Sequence, residues 1–172
     1  MPDSRTPDPL NLPIPGREGE EVELLRTYPA NTKRLSSRTR ERIRAVDVLY
    51  EADARSLPVL EVLAQRRLRT ATQTPLPERS AALVRVAAEH ADQIDEQLET
   101  HSRDWPLTRM PAVDRALLRL GAGEILFDAP AEDVGPIIGE YASIARELST
   151  EDSPRFVNAL LQRLADLRGL LG

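Results

Sequence analysis

Residues 111–127 read PAVDRALLRLGAGEILF, a stretch in which apolar side chains recur on nearly every face of a helix. Pro111 suits a first helical turn, because its missing N–H would have no partner there. The apolar members, taken at about 100° per residue, are Val113, Leu117, Leu118, Leu120, Ile125 and Leu126. A helix that is apolar on most sides is buried. The stretch therefore predicts a central helix with neighbours around it.

Helical patterns lie on both sides of this segment, and no segment shows a convincing strand pattern. Serines at 36 or 37 and at 153 are suitable N-caps. Further helices are predicted over residues 36–55, 58–68, 78–101, 134–148 and 153–168. A bend near His90 would divide the third of these, and the pattern leaves that choice open. The sequence predicts an all-α fold of about six or seven helices.

Composition excludes several classes of protein. The chain has 172 residues and no cysteine, so disulfides, thiol nucleophiles and thiolate metal sites are excluded. No apolar run approaches the ~20 residues that span a bilayer, and the proline- and acid-rich N-terminus is not a secretory signal. A cytoplasmic protein with no membrane contact is expected.

The N-terminal segment differs from the remainder of the chain. Residues 1–32 contain six of the 14 prolines together with six acidic residues. Such a segment buries too little surface to offset the entropy of ordering it. We expect a mostly disordered tail over 1–32, with a short helical turn near 20–26, and a helical domain over 33–172.

Basic residues are concentrated where the first helix begins. The window from Lys33 to Arg44 holds six basic residues and one acid, in a chain with 23 Lys+Arg and 28 Asp+Glu. Arginines in a first helical turn oppose the helix dipole by a few tenths of a kcal/mol each, so helix stability does not account for them. A localised basic window on an acidic chain suits a polyanion.

Three interpretations of this basic window remain at this point. It is a solubilising junction, a duplex-binding element or a single-strand RNA arm. Duplex binding is disfavoured, because the basic helix comes first and no helix-turn-helix precedes it. Arginines that lead to an aromatic residue, Tyr50, suit single-stranded RNA, in which guanidinium groups hold phosphates while a ring stacks on a base.

No active site is visible in the sequence. His90 and His101 lack the spacing of a metal site and are expected to be surface residues. The glycines at 121 and 123 follow helix rather than strand, so they are not a dinucleotide fingerprint. The acids on helix faces lack a convergent partner for acid–base catalysis. We expect a non-enzyme that needs no metal and no cofactor.

Three separated blocks resemble one family, the antitermination factor NusB. RTRERIRAVDVLYEAD at 38–53 resembles the family's opening, roughly ARRxARxxAxxxLYxxE. DWPLTRMPAVDRALLRLGAGEIL at 104–126 is similar to W-x-L-x-R-x-x-x-V-D/E-R/K-A-I-L-R-x-x-x-Y/W-E-L. VGPIIGEYASIARELSTEDSPRFVNALL at 134–161 is similar to V-P-x-x-V-x-I-N-E-A-V-E-L-A-K followed by D-S-x-x-F-V-N-G-V-L. Order and spacing agree over about residues 36–168.

The resemblance implies a fold and a function. The fold is an all-α arrangement of two roughly perpendicular three-helix bundles. The function is non-catalytic: NusB pairs with NusE, a ribosomal protein that also serves in transcription. Together they bind the boxA element of nascent ribosomal RNA leaders, and the antitermination complex helps RNA polymerase resist termination. Members occur as monomers and as homodimers, and the sequence leaves the oligomeric state open.

The resemblance also implies site residues. Carried over position by position, the RNA-binding set is Arg38, Arg40, Arg42, Arg44, Tyr50, Asp152, Arg155, Phe156 and Asn158. The NusE-facing surface is expected at Asp114 and Arg115. Structural roles are the alternative for some of these residues, because Tyr50 and Phe156 lie on apolar stripes. Asn158 could instead tie its helix to a neighbouring backbone, and Asp114 could pair with Arg119.

Three positions depart from the family pattern. Two functions other than antitermination also remain possible from the sequence. Gly139 replaces an asparagine, Ala159 a glycine and Gly123 an aromatic residue. These changes leave room for an interaction scaffold with weakened RNA binding. A stand-alone relative of the RNA-binding domain of ribosomal RNA cytosine methyltransferases is the second alternative, although such an enzyme needs an α/β domain for its methyl donor.

Overall fold

The computed structural model describes residues 35–68, 75–102 and 105–171, and all regular structure in these ranges is helical. The helices are α1 (Ser37–Arg55), α2 (Val59–Leu68), α3 (Glu78–Glu89), α4 (Ala91–His101), α5 (Ala112–Phe127), α6 (Val134–Leu148) and α7 (Ser153–Leu171). Short 3-10 turns cover Leu107–Arg109 and Ala131–Asp133. The predicted all-α class is confirmed. The tail predicted over 1–32 lies outside the described residues, and so do residues 69–74 of the segment between α2 and α3.

Local signals explain where the helices begin and end. The Ser36 hydroxyl accepts a hydrogen bond from the Thr39 N–H at 3.1 Å and caps α1. Ser56 ends α1 in the left-handed region, with φ 53°. The open question at residues 78–101 is settled by His90, whose φ of −110° and ψ of 20° separate α3 from α4. The cap at Ser36 agrees with the prediction, whereas the break at His90 was left open by the sequence pattern.

The helix α5 lies at the centre, as predicted. It packs against α1, α3, α4, α6 and α7, and 11 of its 16 residues are buried. Helices α1, α2 and α3 form one group of three on one side of it, whereas α6 and α7 form a hairpin on another. None of the described helices combines the length and apolar content of a membrane span.

Two glycines permit helices to approach α5 closely. A Cβ at Gly121 would lie 2.9 Å from a Leu161 methyl and 3.3 Å from the Tyr141 ring. A Cβ at Gly123 would lie 3.4 Å from the Ala87 Cα, so the family's aromatic residue has no room here. By contrast, Gly139 faces open space and Ala159 is exposed, so neither departure disturbs a helix crossing.

We predict that Gly121→Val lowers the free energy of unfolding by about 1–3 kcal/mol, because the added carbon atoms would crowd the Leu161 methyls and the Tyr141 ring. The matched control is Gly139→Val, which introduces the same side chain where no atom lies within 4 Å. This control should stay within about 0.5 kcal/mol of wild type. Urea unfolding of both variants makes the measurement, and equal stability of the two would contradict the close crossing.

Candidate nucleic-acid interface

The first arginines of α1 are on the surface. Arg38 and Arg40 are both exposed. Arg40 donates from Nε and Nη2 to the Leu35 carbonyl at 3.2 and 3.0 Å, which holds its guanidinium at the start of the helix. Lys33 and Arg34 lie outside the described residues. The exposed start of α1 can therefore present at least two cations to a polyanion.

Arg42 belongs to the core instead. It is only 7% exposed and donates to Glu124 of α5 at 3.0 and 2.5 Å. The Tyr141 hydroxyl donates to the same carboxylate at 2.6 Å. Burial alone would lower the pKa of Arg42, but the hydrogen bond and charge of Glu124 outweigh it and raise that pKa. This placement does not agree with the expected RNA contact, because the guanidinium is engaged inside the protein.

Arg44 is half-buried at the margin of α2. Burial, followed by the charge of neighbouring Arg66, lowers the pKa of Arg44, and Asp47 opposes this effect. The helical pattern of α1 predicts that Asp47 points away from the core, yet it is 1% exposed and pairs with Arg66 at 2.9 Å. The reason is that α2 covers this side of α1. Arg44 is consequently less accessible than Arg38 and Arg40.

A second polar surface lies where α6 turns into α7. An open cleft of about 570 Å³ is lined by Ala142, Arg146, Thr150, Glu151, Pro154, Arg155 and Asn158. The expected RNA-binding residues Asp152, Arg155 and Asn158 are all exposed here. Arg146 is an exposed cation that the sequence analysis missed. Its position opposite the apolar stripe of α6 indicates in the sequence that it is exposed.

The two aromatic candidates are half-buried. Phe156 packs against Trp105 with ring centroids 4.9 Å apart and a tilt of 58°. Trp105 in turn donates from Nε1 to the Arg109 carbonyl at 3.1 Å. Tyr50 packs against the apolar core. Each ring therefore has an inner side in contact with protein, which supports the structural alternative, and neither is fully enclosed.

The candidate residues form two groups at opposite ends of α5. Helix α1 runs antiparallel to α5, because Arg42 meets Glu124 whereas Asp53 meets Arg115 at 2.6 Å. Arg38 and Arg40 thus lie towards the C-terminal end of α5. Ser153 bonds to Asp114, which brings the start of α7 to the N-terminal end of α5, on the level of Tyr50. Ten residues of helix separate Arg40 from Tyr50, about 15 Å.

Of the two expected NusE-facing residues, Asp114 is buried and Arg115 is half-buried. Asp114 is 0% exposed and accepts hydrogen bonds from the hydroxyls of Ser149 at 2.5 Å and Ser153 at 2.8 Å. Arg115 is engaged by Asp53 and by the Leu107 carbonyl at 2.9 Å. The pairing of Asp114 with Arg119 was wrong. Arg119 donates to Asp95 instead, at 2.9 and 3.0 Å.

The environment of Asp114 disfavours its charge. Burial raises the pKa of Asp114, and the hydrogen bonds from Ser149 and Ser153 oppose this effect without cancelling it. The hydroxyls partly replace the lost water, since an unpaired buried carboxylate would be far more costly. Asp114 is therefore a buried acid with two dedicated donors, rather than a surface charge.

The described ranges contain no group of three acidic, histidine or cysteine residues that could hold a metal ion. His90 stacks on Phe127, with ring centroids 3.8 Å apart and an angle of 6° between the planes. Its ring thus packs against an exposed aromatic residue at the end of α5. The chemistry of the described surface is that of arginine, amide and carboxylate groups around the α6–α7 cleft and at the start of α1.

Comparisons with known proteins place this arrangement among characterised relatives. The model of the NusB family matches residues 39–166. The transcription antitermination protein NusB of Kineococcus radiotolerans is 47% identical over 137 residues, which cover 80% of this chain and 98% of that protein. The NusB protein of Thermobifida fusca is 45% identical, with 78% and 93% covered.

Solved structures show the same architecture. T. maritima NusB superposes with a TM-score of 0.63 at 29% identity, covering 76% of this chain and 92% of that chain. A chain from the crystal structure of the antitermination factors NusB and NusE in complex with dsRNA superposes with a TM-score of 0.63 at 25% identity. It covers 77% of this chain and 99% of that chain.

We predict that Arg42→Ala lowers the free energy of unfolding by about 3–5 kcal/mol, because it removes the nearer cation of the buried Glu124 carboxylate and leaves only Arg79, at 3.4 Å. The control is Arg40→Ala two residues earlier, where an exposed side chain is lost and the change should stay within about 0.5 kcal/mol. Urea unfolding of both proteins decides the matter. Similar losses for both variants would contradict the division of the arginines into buried and exposed members.

We predict that stability depends on pH through Asp114. Its folded pKa is raised above the ordinary value of 3.8. Its contribution to stability is thus fully present below about pH 3.8 and is lost as the pH rises through the folded pKa. The difference in unfolding free energy between wild type and Asp114→Asn should therefore fall as the pH rises from acid towards neutral. A difference that grows with pH would contradict the raised pKa.

Proposed function

The chain belongs to the NusB family, and we propose that it is a transcription antitermination factor that binds the boxA element of ribosomal RNA leaders together with NusE. The observation that carries this proposal is the match to antitermination proteins along nearly their whole length. The exposed arginines on an otherwise acidic chain support it, because they provide a restricted surface for a polyanion.

We place the RNA along the two groups of candidate residues. Arg38 and Arg40 hold phosphates at the start of α1, and Arg155, joined by Arg146, holds them at the α6–α7 cleft. Guanidinium groups suit this task because their donors match the oxygens of a phosphate. Arg44, half-buried at the margin of α2, is left out of these phosphate contacts. A strand that contacts both groups must run about 15 Å along α1, past Tyr50.

Base recognition belongs to the cleft end of this path. The half-buried rings of Tyr50 and Phe156 offer partly open faces for stacking on unpaired bases. The Asn158 amide can both donate to and accept from a base edge, whereas the Asp152 carboxylate accepts from an amino group such as that of cytosine. The cleft thus combines phosphate binding with groups able to tell bases apart.

The protein partner is NusE, and the assembly acts with RNA polymerase. Asp114 is left out of the proposed NusE contacts, because its carboxylate does not reach the surface. Arg115 remains only as a partly exposed side chain that is engaged by Asp53. We further propose that the chain acts by binding alone, without catalysis, in the cytoplasm where its RNA is made.

We predict that boxA RNA binds more tightly than a scrambled RNA of equal composition, and that added NusE increases the difference. Fluorescence anisotropy with a labelled oligomer, with and without NusE, measures this. NusE alone and the scrambled oligomer serve as controls. Equal affinity for boxA and scrambled RNA under both conditions would contradict the proposed function.

The salt dependence of the same titration tests the proposed phosphate contacts. Four contacts to a single strand predict a slope of log K against log[salt] of about −2.8, since each contributes about −0.7. Arg155→Gln should reduce the slope to about −2.1. Arg163→Gln is the control, because Arg163 is exposed on the same helix but bonds to the His101 carbonyl outside the cleft. An unchanged slope in Arg155→Gln would remove this residue from the phosphate contacts.

A further inference from the structure

We propose that Asp114 is a positioning residue for RNA binding, which acts through Ser149 and Ser153 on the α6–α7 turn (residues 149–152). The inference rests on the proposed function and deepens it, because it gives the buried carboxylate a role in the RNA site in place of the NusE surface. The turn carries Asp152 and is flanked by Arg146, Arg155 and Asn158.

Each oxygen of the Asp114 carboxylate holds one end of the turn. Oδ1 accepts from the Ser149 hydroxyl at 2.5 Å, at the end of α6. Oδ2 accepts from the Ser153 hydroxyl at 2.8 Å, at the start of α7. Hydrogen bonds to a charged acceptor are stronger than neutral ones, and this pair lies inside the protein. The central helix α5 therefore holds both ends of the turn at once.

The serines transmit this constraint through the turn. The Ser153 hydroxyl accepts from the Thr150 N–H at 3.2 Å and contacts the Thr150 hydroxyl at 2.7 Å. The Ser153 N–H donates to the Thr150 carbonyl at 3.1 Å. Thr150 is thus bonded through its side chain and its backbone. With this side of the turn fixed, Glu151 and Asp152 are left exposed to solvent.

The proposed RNA contacts lie immediately beside these fixed points. Arg146 precedes Ser149 by three residues, and Arg155 follows Ser153 by two. Binding groups work only when they are held to within roughly 0.5 Å of their productive positions by supporting residues. Asp114 is such a supporting residue, because it bonds to the turn from inside the protein and has no contact with solvent. A direct contact with a protein partner would require the turn to open.

The test compares variants that remove the hydroxyls one at a time. Ser153→Ala and Ser149→Ala should each weaken boxA binding about threefold to tenfold, the equivalent of one hydrogen bond. They should also make the salt slope shallower, because the cleft arginines lose their alignment. Ser149→Thr keeps the hydroxyl at a half-buried position and should retain both affinity and slope. Asp114→Ala should show the largest loss, provided that it folds.

Val62→Ala is the control for a general loss of stability. Val62 is fully buried on α2, outside the cleft and outside the turn. Truncation there should lower the melting temperature without changing boxA affinity or slope below the transition. NusE binding, measured without RNA, should be the same for wild type and for all the serine variants.

Three outcomes would overturn the inference. The first is wild-type boxA affinity in both serine-to-alanine variants, and the second is an equal loss of affinity in Val62→Ala. The third is weakened NusE binding with unchanged boxA binding, which would return Asp114 to the partner surface. A wild-type protein that does not bind boxA with NusE would instead overturn the proposed function itself, so the two failures are distinguishable.

Discussion

The buried Glu124 carboxylate on the central helix connects three helices, and the arrangement of those helices depends on it. Glu124 is 1% exposed and accepts from Arg42 of α1 and from Tyr141 of α6. A buried charge is tolerated only when it is paired and hydrogen-bonded, so another register of α1 or α6 on α5 would remove one of its closest partners and leave Arg79 of α3 at 3.4 Å. This constraint fixes the direction of α1, and with it the outward position of Arg38 and Arg40. Burial, then the charge and hydrogen bond of Glu124, also raise the pKa of Tyr141, which keeps its hydroxyl as a donor.

The division of the arginine run was partly readable from sequence. Arg42 precedes Val46 by four residues and Leu49 by seven, so it shares their apolar face, and a buried role follows from that spacing. The partner of Arg42 could not be predicted from the sequence, because Glu124 lies 82 positions away and only the packed fold brings the two residues together. Asp47 was misplaced for the same reason, since its burial depends on α2 folding over α1. Most helix ends were predicted to within a residue or two because they need no distant contact, whereas Ser153, predicted as a cap, is the first residue of α7 and its hydroxyl donates to Asp114.

The same limit applies to the candidate site. Motif resemblance led to Asp152, Arg155 and Asn158, which the structure places on one exposed surface, but it could not distinguish exposed from buried members of a motif. Asp114 precedes Leu117, Leu118 and Gly121 by three, four and seven residues, a spacing that indicates an inward face. Arg146 was missed because its relevance comes from the hairpin of α6 and α7, which opens a cleft between the two helices. Periodicity shows which way a side chain faces within its helix, whereas the neighbour it meets depends on tertiary packing.

The two basic groups, Arg38 with Arg40 and Arg146 with Arg155, are the proposed phosphate-binding sites, and their separation bears on which RNA they would hold. They lie towards opposite ends of α5, because Arg42 near the start of α1 pairs with Glu124 whereas Ser153 at the start of α7 bonds to Asp114. Exposed acids on α4, namely Asp92, Glu96 and Glu99, lie outside both groups. A strand long enough to reach both groups gains the second contact at a high effective concentration, whereas a shorter one binds either group weakly. The proposed binding of an extended single strand depends on the separation of the two groups, and this separation is maintained by the pairing of Arg42 with Glu124 at one end of α5 and the bonds of Asp114 to the turn at the other.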